Sequence, residues 1–241
     1  MEMLFSTFDF YNHKIFYVDA VALGWFLLAW FGYAHYADNN YGGQPNLIRI
    51  MDEMRTRWMH QMLKRENRIA DAGLIGNISR AISFFASTTT LILIGIVTVM
   101  GAQDRAKDVV ETLPFSFGST PLMWELKLGL LAVIFVYAFF KLTWSLRQYN
   151  YVSILVGAAP MPHEHKQLHG EYASRAGKLI GNAGRHFNMG LRAYYFGLAV
   201  VSWFINGLVF MAITALIVWV AYRREFRSSA VNNLLALEIE A

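Results

Sequence analysis

The chain has 241 residues, 56% apolar, 15% aromatic and 16% charged, with a formal net charge of +4. A soluble domain sits nearer half apolar and a quarter charged, and a disordered chain is far less apolar. The absence of cysteine excludes a disulfide scaffold, a thiolate zinc site, an iron–sulfur cluster and a thiol nucleophile.

The charges are segregated. Four stretches, 16–36, 82–101, 122–144 and 196–222, hold only Asp19, Glu125, Lys127 and Lys141. A helix crosses about 30 Å of hydrocarbon with roughly 20 residues, so each stretch is long enough to span a bilayer. The expectation is an all-α membrane protein: one four-span domain over 1–241, with no nucleic-acid partner.

Span one (16–36) has no basic region before it, is too long for a signal-peptide core and is followed by no A-x-A site. Residues 46–71 then place Leu47, Met51, Met54, Trp58, Met62 and Ile69 at helical spacing. Arg49, Asp52, Glu53, His60 and Lys64 occupy the opposite face. This predicts an amphipathic helix, either lying in the membrane interface or packed on its own bundle or a neighbouring subunit. Span two (82–101) is free of charge. The polar 102–121 loop carries Pro114 and Pro121 as helix stops, and span three (122–144) follows. After Pro160 and Pro162, residues 166–187 predict a second, weaker amphipathic helix through Leu168, Tyr172, Ala176, Ile180 and Phe187. Span four (196–222) contains one strongly polar residue, Asn206.

Basic residues mark the cytoplasmic side of short loops. The segments 37–81 and 145–195 hold thirteen Lys/Arg; the N-terminal segment, the 102–121 loop and the tail hold six. Four crossings put the first group in the cytoplasm and both termini in the periplasm. Arg223 and Arg224 then fall on the outer side, against the rule. Were one span re-entrant, the C-terminal end would change sides.

Several residues are candidates for chemistry, each beside a plainer reading. Asp19, Glu125 and Lys127 lie one or two turns inside the outer surface. An ionisable group at that depth is a functional hypothesis by default, and the natural pair is Asp19 with Lys127; the plainer reading is a structural ion pair or a snorkelling lysine. Arg80, Ser83, Ser87 and Thr90 share a face of span two, as pore wall or as close helix contact. Asn206 poses the same choice. His163, Glu164, His165 and His169 form H-E-H-x-x-x-H, in which His165 and His169 have a spacing zinc sites use; an exposed histidine loop is the commoner meaning. His35 and His186 lie near the inner surface, where facing histidines hold haem in some proteins. Neither metal nor haem is expected, and no cofactor is assigned.

Strings spread along the chain carry a resemblance: WFGYAHYA, MRTRWMHQMLKRENRIAD, FFASTTTLILIG, RQYNYVSILVGAAP, HFNMGLRAYYFGLA and YRREF. From about Val18 to Phe226 the chain resembles the bacterial domain-of-unknown-function 599 family of membrane proteins. The H-E-H-x-x-x-H stretch is not part of that likeness. The resemblance implies a bacterial inner-membrane protein and brings no activity with it. Its strings cluster on the expected cytoplasmic side, where Arg55, Arg65, Glu66, Arg68, Asp71, Arg80, His186 and Arg192 are expected to form an ionic collar. That collar is also a candidate site for anionic lipid. Two functions remain in view: an oligomeric channel or transporter-like protein, and a structural or accessory subunit of a larger membrane complex. Membrane lipids, further copies of the chain and a membrane-protein partner are the expected associates.

Overall fold

In the computed structural model, the structure describes residues 2–39, 46–112 and 120–239, with side chains for 17–39, 46–110, 112 and 120–236. The helices are α1 (Glu2–Asn39), α2 (Leu47–Leu63), α3 (Ile69–Gly101), α4 (Gln103–Glu111), α5 (Pro121–Ala158), α6 (His169–Trp203), α7 (Gly207–Phe226) and α8 (Ser229–Ile239). A 3-10 turn at Lys166–Leu168 precedes α6. Among the described residues four helices are long and apolar enough to cross a membrane: α1 from Tyr17, α3, α5 and α7. Pro114 lies outside the described residues.

Local chemistry sets the boundaries. Asn46 caps α2, its side chain accepting from the Arg49 amide at 2.9 Å, which satisfies one of the four orphan donors of a helix start. Asn67 does the same for Ile69 at 3.0 Å. The helix expected over 46–71 is therefore two helices with a turn at 64–68. Thr120 accepts from the Met123 amide at 3.3 Å, and Pro121 occupies the first helical position, where its missing N–H costs nothing. Span three runs on to Ala158, well past 144, and stops where Pro160 forbids continuation. The amphipathic 166–187 segment is the 3-10 turn at Lys166–Leu168 followed by the first half of α6.

The larger correction concerns 196–222, which is not one helix. Helix α6 ends at Trp203, and α7 starts at Gly207 under a cap from Asn206, whose Oδ1 accepts from the Val209 amide at 2.8 Å. The fourth membrane-length helix is α7, and 196–203 belongs to α6.

The chain divides into two compact units. The first comprises Met1–Gly43, Gly95–Val133 and Tyr195–Arg224. Within it, Phe26 and Trp30 meet Phe196 at 5.8 and 5.3 Å between ring centres. Trp203 reaches back to Asp19, so the end of α6 runs antiparallel to α1. Helix α7 runs the other way. Gly207 lies against Asp19, Trp25 Nε1 donates to the Met211 carbonyl at 3.3 Å, and Tyr36 faces Tyr222 at 6.3 Å. Thus α1 and α7 are parallel. The expectation of both termini on one side rested on a single crossing through 196–222, and the reversal at 204–206 removes that ground.

The second unit comprises Gln44–Ile94, Ile134–Tyr194 and Glu225–Ala241. Its core joins Met59, Met62 and Leu63 of α2 to Ile75 and Ile82 of α3, Leu142 and Val152 of α5, and Ala176 and Ile180 of α6. Trp58, Met59, Met62 and Leu63 of the α2 stripe thus pack in its own unit, while Leu47, Met51 and Met54 are half-buried. A fully buried side chain of this size contributes about 1.5–3 kcal/mol. Glycines let α6 approach α2: a Cβ on Gly177 would stand 2.7 Å from the Thr56 Cα, and one on Gly181 2.9 Å from Asp52 Oδ1. Small residues at such spacing permit close backbone approach.

Candidate functional site

The first unit encloses the Asp19–Lys127 pair expected within the spans. Asp19 and Lys127 are 3% and 2% exposed, with Lys127 Nζ 3.6 Å from Asp19 Oδ2. Trp203 bridges them. Its indole N–H donates to Asp19 Oδ1 at 2.8 Å, and its carbonyl accepts from Lys127 Nζ at 3.1 Å. That carbonyl is in the last turn of α6, where helical oxygens lack partners and the helix dipole is negative. Lys127 therefore both neutralises Asp19 and caps α6. A Cβ at Gly207 would fall 2.9 Å from Asp19 Oδ1, so glycine lets α7 begin directly beside the carboxylate. The arrangement holds two opposite charges at fixed positions within a low-dielectric site.

Glu125 is exposed and takes no part in this pair. Asn206 is the α7 cap at the edge of the same site. The N-G turn signal was present in the sequence but lay inside an apolar run. The α3 hydroxyls divide. Ser83 is half-buried, while Ser87 and Thr90 are exposed, and Thr90 Oγ1 bonds back to the Ala86 carbonyl at 3.3 Å. The inward hydroxyl is Thr89, which the sequence reading passed over; it meets Tyr194 Oη at 2.7 Å.

In the second unit the ionic collar resolves into groupings. Asp52 accepts from Arg55 at 2.9 Å and from Arg185 at 2.8 Å. Asp71 is fully buried, and its Oδ1 accepts from Arg65 at 2.6 Å and Trp58 Nε1 at 2.7 Å. Arg68 caps α5, donating to the carbonyls of Ala159 at 2.7 Å and Pro160 at 2.5 Å. Arg192 reaches Glu225 at 3.4 Å. Glu66 is exposed. Arg80 is exposed and bonds to Asn77 on its own helix, so it knits no elements together. His186 meets the edge of Trp144. Asp52, Arg185, Trp58 and Glu225 are partners that spacing alone did not reveal. Tyr172 donates to the Leu155 carbonyl at 2.6 Å, and burial pushes its phenol above the ordinary value, which keeps it a neutral donor.

His163, His165 and His169 are not gathered. His169 Nε2 bonds to the Glu164 carbonyl at 2.8 Å, and His165 is in the left-handed region at φ 45°. These contacts build the turn before α6. Among the described residues no group of three His, Asp or Glu could hold a metal.

Helices of this length and apolarity, with one Asp–Lys pair buried between them, define a helical membrane protein. The profile of the family described as protein of unknown function, DUF599, matches residues 21–230, and the chain belongs to that family. No curated protein and no solved structure matches the chain.

Proposed function

We propose that the protein is a multi-pass bacterial inner-membrane protein working as a transporter-like or channel-like assembly of several copies, with Asp19 and Lys127 as its charge-bearing centre. The observation that carries this reading is the buried pair held where α6 ends and α7 turns back. Charge inside a membrane is costly and is retained at ion and substrate paths. Helix ends aimed at such a site are how many transporters build ion sites. A pathway between copies could use Ser87 and Thr90, whose hydroxyls lie on the outer face of α3.

The parallel course of α1 and α7 supports a topology in which the last turns of α6 enter the membrane from the cytoplasmic side and α7 returns. The tail after Tyr222 then joins 37–81 and 145–195 in the cytoplasm. Basic residues divide sixteen to three instead of thirteen to six, and Arg223-Arg224 conforms to the positive-inside rule. Because the chain has no cysteine, single thiols report on sidedness cleanly. A membrane-impermeant maleimide should label Asp104→Cys in intact cells, and Ser229→Cys only after permeabilisation. Labelling of Ser229→Cys from outside would refute this topology.

A structural or accessory subunit is the second reading, favoured by Lys127 being engaged as a helix cap. Reconstitution into phosphatidylethanolamine/phosphatidylglycerol liposomes separates the two. Proton or ion flux in the wild type that disappears in a folded Asp19→Asn/Lys127→Met variant supports transport. A wild type silent under both pH and ion gradients overturns it in favour of the subunit role.

A further inference from the structure

Between α1 and α7 runs an open groove of about 530 Å³, lined by Trp25, Gly32, Tyr36, Trp219 and Tyr222 among others. Its walls are almost wholly apolar, and the exposed Gly32 leaves room in one of them, since an added Cβ there would meet nothing within 4 Å. Trp25 lines the groove, and its only polar side-chain atom is taken up by the Met211 carbonyl of α7 at 3.3 Å. The groove is chemically polarised along its length. Trp25 and Leu28 form one end. At the other stand the phenols Tyr36 and Tyr222, and just beyond them the exposed Arg223, whose guanidinium lies 5.7 Å from the Trp219 ring centre. Arg224 is directed elsewhere, donating to Tyr195 Oη at 2.9 Å.

The length identifies the occupant. From Trp25 to Tyr36 a helix advances about 16 Å, half of a hydrocarbon core of roughly 30 Å, which is the depth of one leaflet. We infer that the groove seats one acyl chain of an anionic phospholipid, with the lipid phosphate against Arg223 beside Tyr36 and Tyr222. A second copy of this chain would have to place polar or charged atoms at the Arg223 end and apolar ones at the other, along a stretch only one leaflet deep. A phospholipid meets both requirements by its constitution. Aromatic rings at headgroup level and a basic residue beside them are the expected companions of such a lipid. The inference concerns the α1–α7 surface from Trp25 onward, which does not include Asp19, and it does not depend on the transport reading.

The test uses full-length protein in phosphatidylcholine vesicles containing increasing fractions of phosphatidylglycerol whose acyl chains are brominated, with brominated phosphatidylcholine as the comparison. Tryptophan quenching reports chain occupancy, because Trp25 and Trp219 line the groove. Brominated phosphatidylglycerol should compete about fivefold better than brominated phosphatidylcholine, the factor one surface arginine supplies. That preference should fall towards unity in Arg223→Gln and persist in Arg224→Gln. Gly32→Phe, which adds a ring to the groove wall without adding a tryptophan, should lower quenching by either lipid. Equal quenching by the two lipids in the wild type, or an undiminished preference in Arg223→Gln, overturns the inference. So does a Gly32→Phe variant that converts a dimer to a monomer while quenching is unchanged, which would make a second copy the occupant.

Discussion

Replacing Lys127 by Met tests the buried pair most directly. Lys127 Nζ is 3.6 Å from Asp19 Oδ2 and 3.1 Å from the Trp203 carbonyl, and both residues are almost fully enclosed. Removing it leaves Asp19 without the charge it faces and α6 without a cap. Breaking a buried pair from one side costs about 3–5 kcal/mol, and a lost hydrogen bond on its own about 1 kcal/mol. The single variant should therefore be destabilised by about 3–5 kcal/mol. Adding Asp19→Asn removes the stranded charge but keeps an oxygen for Trp203 Nε1, so the double variant should lose only about 1–2 kcal/mol. Reversible unfolding in mixed micelles, followed by circular dichroism, gives both values. A single-variant loss below about 1 kcal/mol, or a double variant as unstable as the single, would refute the assignment of the pair as mutually compensating.

Gly177→Ala should lower stability by about 1–3 kcal/mol through overpacking, because the new Cβ meets the Thr56 backbone at 2.7 Å. Gly24→Ala, with nothing within 4 Å, should be neutral or slightly stabilising; thermal melting in detergent compares the two. Asn206→Ala should cost about 0.5–2 kcal/mol as a lost N-cap, and Asn206→Ser, which caps without adding a charge beside Asp19, much less. A hydroxyl lost in Tyr194→Phe removes bonds to Thr89 and the Phe85 carbonyl and should cost about 1 kcal/mol, read from the same melts.

Hydrophobic runs and charge segregation were enough to place the membrane-length helices, because those signals are local sums over about 20 residues. The Asp19–Lys127 pair was legible for a related reason: two opposite charges in apolar spans have few partners to choose from. The likeness carried by strings such as HFNMGLRAYYFGLA pointed to the family over most of the chain. What composition could not settle was direction. A run from 196 to 222 averages as one span, yet Asn206 caps a new helix within it, and only the packing of Phe196, Trp203 and Gly207 on α1 showed that the chain turns back. The same holds for the glycines. Those that matter, Gly177, Gly181 and Gly207, are distinguished by what stands opposite them and not by their spacing. The collar illustrates the limit from the other side. Periodicity can put Arg55, Arg65 and Arg80 near one surface, but whether an arginine meets Asp52, Asp71 or merely Asn77 depends on contacts far apart in sequence. Hydropathy and propensity act along the chain, while partners, register and direction arise between helices, and that is where the tertiary structure decided.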